Sequence, residues 1–227
     1  MNHPLFPSRF AGGALVLGAL LSLTGFFVRP VTIGKSFTVE TLLAIGVSPD
    51  LWVLSFRMLV FGLFVRFAGL VSLGTLARSA GAKAIVIPGI AIGCAGLLVS
   101  AMTQGYYMDI ALHGIWRFEH ESAPAAREAI LASWLATDEW VSCLGRMGLM
   151  FLGLGSVVLG VGLRGEAPAW AAWTLAGVGF AGMMGIFVAP GNPTVELSAF
   201  IGLSIVHASL GLSTVWGGGH PTQAVRL

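Results

Sequence analysis

The run LWVLSFRMLVFGLFVRFAGLVSLGTLAR, from Leu51 to Arg78, is apolar for long enough to cross a bilayer, yet it carries Arg57 a third of the way along and Arg66 near its middle. At ~1.5 Å per residue, about 20 apolar residues span the hydrocarbon core. A charge at that depth costs at least ~2.5 kcal/mol on insertion scales. Arg66 must therefore either snorkel to an interface or find partners inside a bundle of helices.

The rest of the chain supplies such a bundle. Only 10% of residues are charged while 56% are hydrophobic, so polar groups cannot cover a globular surface and lipid must be the solvent. The fold class is all-α, a single integral membrane domain over 1–227. Six spans lie at roughly 10–28, 51–76, 84–108, 140–163, 169–189 and 197–216. The first of these lacks small residues at a plausible cleavage site and reads as a retained span. The 32 glycines, about twice the usual share, favour close helix contact.

Between the spans, residues 29–50 form a loop with a short interfacial helix around Val39 to Ile45. The segment 109–139 is an outer loop containing an amphipathic helix, with Ser122 as N-cap and Ile130, Leu131, Trp134 and Leu135 on one face. Tyr106 and Tyr107 suit the headgroup layer. Cys94 and Cys143 lie at depths ~15 Å apart, too far for a disulfide.

Charge distribution predicts orientation. One side carries Arg9, Arg78, Lys83, Arg164 and Arg226 against Glu166 alone, and the other carries nearly all the acids. The positive-inside rule then puts both termini in the cytoplasm and the acidic loops outside a cytoplasmic (inner) membrane. The mild net charge of +2, with basic residues scattered singly, excludes nucleic acid as a partner.

Four residues are candidates for a polar, ligand-binding interior: Arg57, Arg66, Arg146 and His207. Arg57 and Arg146 enter their spans from the outer side, where Asp109, Asp138, Glu139 and Glu196 mark helix ends and could form ion pairs with them. Arg66 has no acid at its depth, which leaves backbone carbonyls, Ser100 or His207 as partners. Its offset from Arg57 puts the two on opposite helix faces. His207 reads as an interhelical hydrogen-bonding group. A haem would call for a second ligand at similar depth, and no other histidine is intramembrane, so no cofactor is expected. His113 and His120 stand ~10 Å apart on one helix face, too far to share a metal ion unaided.

No nucleophile elbow, His-Glu-x-x-His or P-loop is present. Ser204 and His207 share one helix, whereas intramembrane proteolysis would need a serine near a histidine on another span. The opening Arg9-Phe-Ala-Gly12, the long outer segment after the third span, the Gly-rich fourth span and the turn Arg164-Gly-Glu-Ala-Pro-Ala-Trp170 resemble a bacterial family of six-helix integral membrane proteins known only as a domain of unknown function. That resemblance implies the six-helix fold and brings no catalytic residues. Three functions follow in order: binding or transport of a small solute or lipid through a polar interior; an accessory subunit docking a protein partner, or a homo-oligomer, through Gly-rich faces; and an intramembrane enzyme on a lipid-soluble substrate.

Overall fold

A computed structural model describes residues 5–29 and 44–216, with side chains from residue 9 onward. The expected interfacial helix around Val39 to Ile45 falls mostly outside the described residues, which show a helical turn over 44–47. The described chain is all-helical: α1 (Leu5–Phe27), α2 (Pro49–Leu73), α3 (Ala80–Asp109), α4 (Ile115–His120), α5 (Pro124–Gly162), α6 (Ala169–Val188) and α7 (Pro193–Trp216). Six of its helical stretches are long and apolar enough to cross a membrane.

The spans close into a ring. α1 packs on α2, α2 on α3, α3 on α5, α5 on α6, α6 on α7, and α7 returns to α1. Short turns force antiparallel neighbours. Glu166, in the α5–α6 turn, accepts from the backbone N–H groups of Arg78 and Ser79, tying that turn to the one between α2 and α3. Ser79 caps α3 by accepting from Ala82 N at 3.0 Å. Asn192 caps α7 through Thr194 N and Val195 N. Phe61, Phe64, Trp170, Trp173, Phe180 and Phe187 point out of the ring, as lipid-facing side chains should.

Glycines set how closely the ring closes. A Cβ on Gly155 of α5 would lie 2.5 Å from Gly93 N and 2.9 Å from Gly89 O of α3, and one on Gly179 of α6 would lie 2.6 Å from Gly153 O of α5. Gly12 and Gly211 bring α1 and α7 together in the same way. Backbones that approach this closely gain dispersion contact, the main attraction available between helices in lipid. These Gly-rich faces are thus occupied within the ring, whereas Gly13, Gly105 and Gly177 meet nothing within 4 Å.

The segment 109–139 departs from the expected loop. α3 runs through a single π turn (Ile110–Gly114) into α4, making a helical stretch of 41 residues, and α5 is one helix of 39 residues. Each is ~60 Å long, about twice the hydrocarbon thickness, so the two form a projecting helical hairpin. Residues 124–139 are helical as expected, but continuous with the fourth span. The apolar face of this segment finds protein: the Trp134 ring lies against Gly114, where a Cβ would come within 2.7 Å of it, and 5.9 Å from the Phe118 ring. Ser122 is not the cap. α5 starts at Pro124 behind Ala123, whose N–H is taken by the Glu121 carboxylate at 3.0 Å.

Gly155→Ala should destabilise the protein by ~1–3 kcal/mol, because the obstructing atoms are backbone, while Gly177→Ala should stay within ~0.5 kcal/mol. Melting of the detergent-solubilised variants checks this. Equal effects would mean that α3 and α5 do not touch along their backbones.

Candidate functional site

The lumen of the ring has three levels. At the hairpin end is a cavity of about 650 Å³, open to the outside of the bundle. Polar side chains line its upper walls: Arg29, Gln104, Tyr107, Asp138, Glu139, Arg146 and Glu196. Leu59, Leu63, Leu149, Leu197 and Phe200 line it lower down. One helical turn beyond Leu63 and Phe200 come Arg66 and Ser204, a buried polar cluster. Below that, Leu70, Leu73, Leu159, Leu163 and Leu210 are all buried and fill the bundle.

The buried cluster resolves the Arg66 question. Its side chain is 0% exposed, so it does not snorkel. Gly18 of α1 makes room for it, since a Cβ there would lie 2.6 Å from Arg66 Cγ. Nη1 donates to Ser204 Oγ at 3.1 Å, and Nη2 donates to His207 Nδ1 at 2.9 Å and to the Leu203 carbonyl at 3.4 Å. Hydrogen bonds to a charged group contribute ~1.5–3 kcal/mol each. The two short ones therefore offset the ~2.5–3.5 kcal/mol insertion cost without a carboxylate, although Arg66 Nε itself has no hydrogen-bond partner. Ser100, the other partner considered for Arg66, instead faces the cavity.

The direction of every bond in the cluster follows from Arg66. A guanidinium only donates, so His207 Nδ1 must accept, which leaves the imidazole proton on Nε2. That N–H donates to Ser156 Oγ at 3.0 Å, and the Ser156 hydroxyl donates to the Leu152 carbonyl at 2.8 Å. Ser204 likewise passes its proton to the Phe200 carbonyl. Ser156 and His207 thus form a serine–histidine pair across two spans, as intramembrane proteolysis would need, but with reversed polarity. The nitrogen facing the serine is a donor, and the group on Nδ1 is a cation where a triad has a carboxylate. His207 cannot accept the serine proton in this arrangement.

The cavity is held by a second set of contacts. Arg29, just past the end of α1, donates from Nη2 to Gln104 Oε1, and its guanidinium sits 4.7 Å from the Phe56 ring centre and 5.4 Å from that of Phe26. Burial lowers the Arg29 pKa from the usual arginine range to about 10, with neighbouring Tyr107 acting the other way, so the group stays cationic at neutral pH. Tyr107 is stacked with Phe56 and donates to Asp138 at 2.7 Å. Its hydroxyl is thus turned toward α5, within the bundle. Arg146 Nη1 stands 3.6 Å from Glu196 Oε1, beyond hydrogen-bond range. On residues that line the cavity, three polar atoms are sealed from solvent without a hydrogen-bond partner: Arg29 Nε, Ser100 Oγ and Glu196 Oε1, the last still ion-paired with Arg146.

Among the four residues expected in the interior, the structure brings Arg66 and His207 into direct contact, places Arg146 on the cavity wall a level above them, and leaves Arg57 exposed on the far side of α2. Of the ion pairs expected for the four acids, Arg146 and Glu196 come together. Asp109 pairs with His113 at 2.9 Å on the exposed hairpin, and His120 stacks on Trp116. Sequence reasoning missed Arg29, Gln104, Ser156 and the Arg66 contact of Ser204. Gln104 and Ser156 carried a usable signal, as polar residues inside apolar spans. No protein-family model, curated protein or solved structure matches the chain.

His207→Leu removes an acceptor and leaves the Arg66 cation under-partnered, which should cost ~3 kcal/mol or more. Arg66→Met combined with His207→Leu should recover most of that loss, because the charge needing partners is gone. A double-mutant cycle on unfolding checks the coupling; additive effects would show that the two side chains do not meet.

Proposed function

We propose that this protein binds a small amphipathic solute or lipid in the lumen cavity. The observation that carries the reading is a cavity whose size falls in the usual range for ligand sites, set inside a ring of apolar helices and lined by charged and polar side chains above and apolar ones below. The positive-inside distribution supports a hairpin end outside a cytoplasmic membrane, and with it entry of the ligand from the outer side or outer leaflet. Binding is favoured over transport because the leucine layer beneath His207 closes the lumen at the other end. The chain's likeness to the uncharacterised six-helix bacterial family belongs to the same reading.

Gly145 tests it. It lines the cavity, and a Cβ there would have only Thr103 at 3.9 Å as neighbour, so Gly145→Phe fills the space without breaking a helix contact. Native mass spectrometry of the detergent-purified protein should show a bound small molecule on the wild type and at least a tenfold lower occupancy on the variant, ~1.4 kcal/mol of affinity. The same molecules on both proteins, to the same extent, would remove the cavity as the site.

A further inference from the structure

At the end of the bundle opposite the hairpin, the described residues carry four exposed cations, Arg9, Arg78, Lys83 and Arg164, and one acid, Glu166. Among the described residues none of the four meets a carboxylate within 4 Å. Glu166 is turned to the backbone instead: one oxygen, Oε1, accepts from Arg78 N at 3.3 Å and from Ser79 N at 3.4 Å. That contact sets Arg78 and Lys83, which bracket the α2–α3 turn, beside Arg164, which opens the α5–α6 turn. Val86, one helical turn after Lys83, lies where a Cβ on Gly162 would come within 2.9 Å of it. Lys83 and Arg164 therefore stand at one level on adjacent helices.

Arg164 shows which surface this patch belongs to. Its guanidinium lies 4.4 Å from the centre of the Trp173 ring. Trp173 is 54% exposed on the outer face of α6, and Trp170, one turn before it, is 58% exposed. Stacking uses the flat face of a guanidinium and leaves its in-plane N–H groups able to donate to anionic oxygens. Among the described residues no acceptor takes them. Tryptophan rings settle at the boundary between headgroups and hydrocarbon, so the unmatched charge is presented to lipid.

We propose that the joined turns bind an anionic phospholipid of the leaflet at this end. The phosphate oxygens accept from Arg164, Arg78 and Lys83 add attraction, and the first methylenes of the acyl chains cover Trp170 and Trp173. A zwitterionic lipid brings its own cation against the same three groups and gains less. A free anion leaves the tryptophans uncovered. The site is separate from the lumen and stands whether or not the lumen holds a ligand.

The test uses the full chain in detergent and compares thermal stabilisation by phosphatidylglycerol and phosphatidylcholine of matched acyl chains, with water-soluble glycerophosphoglycerol as a third arm. Phosphatidylglycerol should reach half-maximal stabilisation at about tenfold lower concentration than phosphatidylcholine, and salt at about 0.5 M should shrink the difference to below about twofold. The combined variant Arg78→Gln, Lys83→Gln and Arg164→Gln should erase the preference. Glu166→Gln keeps an oxygen for the two backbone N–H groups while removing the charge, and should enlarge the preference about threefold. Arg57→Gln, at an exposed cation of the other end, should leave it unchanged. Equal stabilisation by the two lipids, or a preference that survives the combined variant, overturns the proposal. So does a Glu166→Gln protein with no gain, which decides the matter if the combined variant fails to fold. Stabilisation by glycerophosphoglycerol equal to that by the lipid overturns the assignment to lipid. Gly145→Phe keeps the lumen apart: a preference that persists in it supports the turns, and one that vanishes in it places the lipid in the lumen and overturns the site proposed here.

Discussion

Arg66 puts a permanent charge where neither water nor a carboxylate meets it, and the neutral partners Ser204, Leu203 and His207 are arranged around that charge. A buried cation without a counter-ion is tolerable only if most of its donors are met; both Nη groups are, while Arg66 Nε has no hydrogen-bond partner. All three acceptors lie on α7, while the arginine comes from α2, and these helices are not neighbours in the ring. The contact therefore crosses the lumen. It fixes α7 against α2 in depth and rotation, and through the His207 to Ser156 bond it fixes α5 as well. Three of the six spans are registered by one hydrogen-bonded chain whose every donor and acceptor is dictated by the guanidinium at its head.

Glycine makes that chain reachable. A ring of six helices spaced at 8–10 Å, the usual distance between packed helices, encloses more space than one arginine and one histidine can fill. Here α1 approaches α2 through Gly18, at the level of Arg66, and α3, α5 and α6 approach one another through Gly93, Gly155, Gly153 and Gly179. The ring is narrow at mid-depth, where the polar cluster fills it. It widens toward the hairpin end, where Gly145 has only Thr103 nearby and the wall includes the long side chains of Arg29 and Arg146. The cavity and the cluster are thus parts of one lumen whose width is set by where the small residues fall.

Much of this was legible in the sequence for physical reasons. Lipid as solvent makes each span a long apolar run, so the six crossings can be read directly. An ionised group inside such a run must be answered, so Arg66 and His207 stood out. What the sequence could not show was where a given face points. Arg57 and Arg146 look alike as arginines a turn or two inside their spans, yet one faces out of the ring and the other into the lumen. That difference depends on which helices are neighbours, and ring order is not encoded in any single span. The amphipathic face of 124–139 was equally ambiguous. A stripe of Ile, Leu and Trp can lie on a membrane or against another helix, and only the continuation of α3 through its π turn into α4 brought Phe118 and Gly114 to Trp134.

The asymmetry of the lumen then bears on function. The open volume and most of the charged side chains of the lumen lie on the hairpin side of Phe200 and Leu63. On the other side of His207 the buried side chains are mostly Leu, Ala and Val, and the buried Thr214 hydroxyl is taken up by the Gly211 carbonyl of its own helix. In a low-dielectric interior the Arg66 charge is weakly screened, and its nearest open space is the cavity floor. An acidic group drawn into the cavity would feel that charge through one layer of side chains as well as Arg29 directly, while the carboxylates of Asp138, Glu139 and Glu196 stand among the upper polar residues. The lumen is therefore graded along its axis, from mixed charge above to a single cation below.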